Sequence, residues 1–211
     1  MKKAFLAAVV LLFFANPAFA QFTFSPSQTI AGLSSGNWSA QWWQYILAIP
    51  ASSNPVNGNC PTNPANPGPV VFLGGPASGT LQCVVPAGKP IFFPIINDEC
   101  STNEGLGTDA AQLTACTRGI IDAVGRSTLR VTLDHVSLVD PAAFRAASPS
   151  FDVDLPTSNI FGATPGAGTS VSDGYWVMLQ PLSAGSHTLH YTGCIPAFSF
   201  CINTTYQLTA K

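Results

Sequence analysis

The sequence is poor in charge. Only 9% of its 211 residues are Asp, Glu, Lys or Arg, against roughly 25% in an ordinary soluble domain. With 8 basic residues scattered along the chain, no continuous cationic surface can follow a phosphate backbone, so nucleic acid is excluded as a partner. Charged ligands are steered only weakly by such a surface, which leaves neutral partners, a glycan or a second copy of the chain. The chain also lacks a long apolar run. Its longest, Ala4–Ala15, is about twelve residues, short of the roughly 20 that span a bilayer, and no membrane span is expected. Histidine is scarce, with 3 in the whole chain, and no C-x-x-C spacing is present, so no metal set is read from the sequence.

What is present begins at the N-terminus. Lys2 and Lys3 precede the apolar run, and Asn16-Pro17-Ala18-Phe19-Ala20 ends in an A-x-A pattern, the signature of a cleaved secretory signal peptide. Residues 1–20 are predicted to be that peptide and residues 21–211 a single domain, secreted or periplasmic. Export places the 6 cysteines where disulfides persist. Among the roughly fifteen ways to pair six cysteines, the sequence neighbours Cys60–Cys83, Cys100–Cys116 and Cys194–Cys201 are favoured, because each pair closes a loop that little else would order.

From Asn37 the spacing of Trp38, Trp42, Tyr45 and Ile49 follows one face of a helix, with Asn37 or Ser39 as its cap and Pro50 as its stop. An Asn-Pro-rich loop follows. From Val70 onward, short β-branched and aromatic runs between Gly and Pro read as strands: VVFL, LQCVV, IFFPII, STLRVTLDHVSLV, FDVDL, YWVMLQ, HTLHYT and TTYQLT. A second helix interrupts them after a Thr108 cap, with Gly125 as its stop. The fold class is mainly β, an antiparallel sandwich resembling a jelly roll, with two helices.

Several motifs invite chemistry. Gly32-Leu33-Ser34-Ser35-Gly36 has the G-x-S-x-G form, but no central strand precedes it, as a nucleophile elbow requires; it reads as the lead-in to the tryptophan helix. Asp98, Glu99, Glu104 and Asp109 crowd around Cys100, which suits an acidic site, calcium, or a pair of glycosidase carboxyls. Glu99, at a strand end beside a disulfide, is the strongest candidate. Asp173-Gly174 reads as a turn before a strand, tied to its neighbour by His187; Trp176 and His187 complete the candidate binding residues. His187 and His190 fall on opposite faces of a strand and do not chelate together. Arg145 is expected to pair with Asp152 or Asp154.

The motifs WSAQWWQYILAIP, GPVVFLGG, CVVPAGKPIFFPIINDEC, SPSFDVDLP and DGYWVMLQPLSAGSHTLHYTG together resemble a family of exported bacterial proteins of uncharacterised activity, over most of residues 37–209. The resemblance implies an exported single domain and transfers no catalytic residue. Asp134-His135 departs from it, since Asp-Gly is expected there. The functional expectation is a non-enzymatic binding or surface-structural module without cofactor, calcium aside. The alternative is a carbohydrate-active hydrolase working through Glu99 and a second acid.

Overall fold

The computed structural model describes residues 22–60 and 68–211. The predicted signal peptide and the middle of the Asn-Pro-rich loop lie outside the described residues. The first helix, α1, spans Ser35–Leu47. It starts earlier than its tryptophans suggest, because Ser34 is its cap: the Ser34 hydroxyl oxygen accepts from the Asn37 backbone N–H at 3.3 Å and from Asn37 Nδ2 at 3.1 Å. Asn37 and Ser39, expected as caps, lie inside the helix, where the Ser39 hydroxyl donates to the Gly36 carbonyl at 2.8 Å. The serine of the G-x-S-x-G motif therefore satisfies a helix terminus.

The strands follow as β1 (Val71–Phe72), β2 (Ser78–Val85) and β3 (Ile91–Ser101), then helix α2 (Ala110–Ile121), β4 (Arg130–Leu133), β5 (Val136–Ser137), β6 (Arg145–Ala147), β7 (Phe151–Leu155), β8 (Gly166–Leu179), β9 (Gly185–Ile195) and β10 (Phe200–Ala210). They form two five-stranded sheets. One runs β1-β3-β8-β6, with β7 also paired to β8; the other runs β2-β10-β9-β4-β5. Neither sheet is purely antiparallel: β1 lies parallel to β3 and β2 parallel to β10. The chain alternates between sheets over β1, β2 and β3, so β1 and β3 return to one sheet in the same direction.

The molecule has three layers, α1 on the first sheet and the first sheet on the second. Phe93, Ile95, Tyr175 and Val177 meet Leu81, Leu189, Tyr191 and Tyr206 between the sheets. On the other face of the first sheet, Trp38, Trp42, Trp43 and Ile46 pack on Phe72, Phe92, Trp176 and Met178. Indoles of this kind bury about 150–250 Å² each, a gross transfer gain of about 4–6 kcal/mol apiece before entropy. The tryptophan helix is thus the cover of a sheet buried on both faces. Trp176 belongs to that core: it is 1% exposed and stacks on Phe92 at 5.4 Å, which removes it from the candidate binding residues.

β3 carries a bulge between Pro94 and Ile96. Proline has no N–H for the ladder, so a strand that contains it takes a bulge. Side chains alternate along a strand, and one extra residue reverses which of the following residues face α1. Glu99 thereby stands opposite Ser172, whose hydroxyl meets that of Ser39 on α1 at 3.1 Å. Gly174 faces Asn97 across the same pair, and a Cβ there would lie 2.5 Å from the Asn97 Cβ. Asp173-Gly174 is therefore the interior of β8, not the expected turn.

α2 is capped by Asp109, whose Oδ1 accepts from the Gln112 N–H at 2.9 Å, while the Gln112 side chain accepts from the Thr108 N–H at 3.1 Å. Thr108, the expected cap, lies one residue before the observed one. The helix ends at Ile121 with Asp122 in right-handed geometry, and Gly125, at φ −72°, is not its left-handed stop. All three expected disulfides are present: Cys60–Cys83, Cys100–Cys116 and Cys194–Cys201. They fit an oxidising, extracellular type of environment. No helix among the described residues is long and apolar enough to cross a membrane.

Candidate functional site

The end of β3 and the first turns of α2 are clamped together by Cys100–Cys116. Above this clamp lies a hollow of about 370 Å³, walled by Asn97, Asp98, Glu99, Glu104 and Leu106, by Cys116 and Ile120 of α2, by Trp43 of α1 and by Phe161. Phe161 is 42% exposed and its ring lies 6.0 Å from that of Trp43. Three of the four crowded acids meet here. The fourth, Asp109, is spent on the cap of α2.

Glu99 is 5% exposed. Its Oε1 accepts a hydrogen bond from the Ser170 hydroxyl. Its Oε2 has no partner; the Glu104 carboxyl beside it satisfies that oxygen only when one of the two acids is protonated. Burial, the negative charge of Glu104 and the carboxyl–carboxyl contact outweigh the Ser170 hydrogen bond and push Glu99 up to about 9. Asp98 is pushed up to about 7, by burial first and then by Glu104. At neutral pH, Glu99 is a neutral acid that can donate, a consequence of desolvating a carboxyl beside like charge. Glu104 is oriented by the Ser101 hydroxyl, which donates to its Oε2 at 2.7 Å.

Two further buried polar atoms of the wall lack partners: Trp43 Nε1 and Asn97 Nδ2. Both residues also line a smaller cavity of about 80 Å³ that reaches Gly75, Pro76 and Tyr191. Buried donors without acceptors are rare in folded proteins, and these two side chains line both spaces.

The other sequence candidates lie elsewhere. His187 does not tie the Asp173-Gly174 segment; its Nδ1 meets Asp134 at 2.6 Å and its Nε2 meets the Ser183 carbonyl at 2.9 Å. Ser183 Oγ stands 3.4 Å from the same Nε2, which sketches a serine–histidine–aspartate row. It does not have the geometry of a nucleophile site: Nε2 is engaged by the Ser183 carbonyl, nearer than Ser183 Oγ. The hydrogen bond to Asp134 raises His187 above its ordinary value. Arg145 pairs with neither Asp152 nor Asp154. It binds Asp173 through Nε at 3.2 Å and Nη2 at 2.6 Å, and Asp122 through Nη1 at 2.7 Å, tying β6, β8 and the end of α2.

Among the described residues no group of three His, Cys, Asp or Glu could hold a metal ion. Glycosidase carboxyls stand about 5–9 Å apart across a substrate, whereas Glu99 and Glu104 are within hydrogen-bonding contact. Sequence reasoning found the acids and missed Trp43 and Phe161 as their neighbours. The missed signal was Pro94 inside an apolar strand, which marks the bulge that turns Glu99 toward α1. Compared with protein-family profiles, curated proteins and solved structures, the chain matches none.

Proposed function

We propose that this chain is an exported, non-catalytic binding module, and that its ligand is a small hydroxyl-rich molecule of the saccharide class taken up by the acidic hollow. One observation carries the reading: Trp43 Nε1 and Asn97 Nδ2, both buried and both without partners, belong to residues lining one hollow with three carboxyl groups. The two are donors, and the carboxyl oxygens of the same wall accept. A hydroxyl group serves both kinds, because it donates and accepts. Phe161 and Leu106 supply the apolar flank against which a sugar's C–H face rests, and the volume lies at the lower end of the 300–1,000 Å³ typical of small-ligand sites. The leader pattern at residues 1–20 and the three disulfides support export.

The test is a tryptophan-fluorescence titration of the oxidised, leader-free protein with short neutral and amine-bearing oligosaccharides. Saturable binding is expected, weakened about tenfold by Phe161→Ala, the worth of roughly 1.4 kcal/mol of ring contact, with no new reducing ends released. Absence of saturation with every sugar overturns the proposal. Release of reducing ends that Glu99→Gln abolishes replaces it with a hydrolase.

A further inference from the structure

The hollow contains three carboxyl groups and no basic side chain; none of its lining residues is Lys, Arg or His. The groups packed around the carboxyls do not supply the missing charge. From β8, Ser170 donates to Glu99, and Asp173, which faces Asp98 across the strand pair, adds a further negative group already bound by Arg145. α1 contributes Trp43 to the wall, and α2 contributes Cys116 and Ile120. Trp43, almost fully buried, retains an indole N–H without partner. A wall with acids on one side and aromatic rings on the other is the chemistry that receives an organic ammonium group.

Resting on the ligand-site reading above, we propose that the hollow binds a saccharide carrying a protonated primary amine, an amino sugar, with Asp98 and Glu104 meeting the ammonium and Trp43 and Asn97 donating to its hydroxyl oxygens. Binding is linked to proton release. Burial and Glu104 hold Asp98 protonated up to about pH 7, and a cation beside it favours the ionised form. The affinity of an ammonium ligand therefore rises as pH increases from 5 to 6, below the range in which a sugar amine, weakened by its neighbouring oxygens, loses its proton.

Titration calorimetry with three probes tests this: glucosamine oligosaccharides with free amines, glucose oligosaccharides of equal length, and putrescine as an amine without a sugar. Glucosamine oligosaccharides are expected to bind at least ~10-fold more tightly than glucose oligosaccharides at pH 6. Their affinity should rise from pH 5 to 6, with a heat that varies with the ionisation enthalpy of the buffer. Asp98→Asn should erase the preference while near-UV circular dichroism remains that of the wild type; Glu104→Gln serves if Asp98→Asn fails to fold. Equal affinity for the two oligosaccharides overturns the ammonium proposal and leaves the hydroxyl-binding site standing. Putrescine binding as tightly as the amino sugar overturns the saccharide half. Retention of the preference in both variants overturns the assignment of the carboxyls, and no binding by any probe removes the site altogether.

Discussion

Glu99 shows how a single carboxyl couples this fold to pH. Its pKa is pushed from 4.5 to about 9 and that of Asp98 from 3.8 to about 7, so between these limits the folded state holds more protons than the unfolded chain. Stability then falls as pH rises through the window, the opposite of the usual salt-bridged carboxylate. Glu99→Gln keeps the acceptor for Ser170 and replaces the acid proton with an amide N–H toward Glu104. Its stability should match the wild type at pH 5 and exceed it at pH 9 by at least ~1 kcal/mol, read by urea denaturation at both values. An equal pH dependence in the two proteins would show that Glu99 ionises freely. The candidacy of Glu99 was legible in the sequence because acids are rare here and four of them cluster. That of Trp176 misled: a strand buried on both faces uses aromatic residues on both, and composition alone does not separate a binding ring from a core ring.

At the scale of elements, the departure of Asp134-His135 from Asp-Gly has a defined geometry. Both residues have positive φ, 49° and 69°, and they join β4 to β5 across a two-residue turn of the kind that favours glycine at its second position. His135 is exposed, so His135→Gly relieves left-handed strain without unpacking anything. A gain of about 0.5–1 kcal/mol is expected, after the entropy glycine adds to the unfolded chain; thermal unfolding measures it, and a loss would mean that the imidazole makes a stabilising contact. FDVDL was read to the residue, because alternating burial at a solvent face leaves a period-2 trace. β8 was read from Tyr175 only. Its first half, GAGTSVSDG, resembles a turn in composition, yet small side chains are required there. A Cβ at Gly168 would fall 1.6 Å from Asn103 Oδ1, so close packing, not turning, selects the glycine.

For the whole molecule, the cysteine pairing was legible and the strand order was not. Neighbouring cysteines close local loops, whereas the parallel pairs β1/β3 and β2/β10 depend on which sheet each strand joins, a choice made by long-range packing. The loops closed by Cys60–Cys83 and Cys194–Cys201 span sequence separations of 23 and 7. Chain entropy then assigns them about 3.4 and about 2.4 kcal/mol respectively. Replacing the first pair with serine should therefore cost roughly 1 kcal/mol more than replacing the second, measured in guanidinium; the reverse order would show that strain or residual structure outweighs loop length.

The sealed layer of indoles has an optical consequence. Trp42 lies 5.0 Å from Trp43 and 5.5 Å from Trp176, close enough for their electronic transitions to mix and to give a strong, signed near-ultraviolet dichroic band. That band reports helix-to-sheet docking separately from backbone content, so a state that keeps its strands but sheds its lid would be recognised by its colourless near-ultraviolet spectrum.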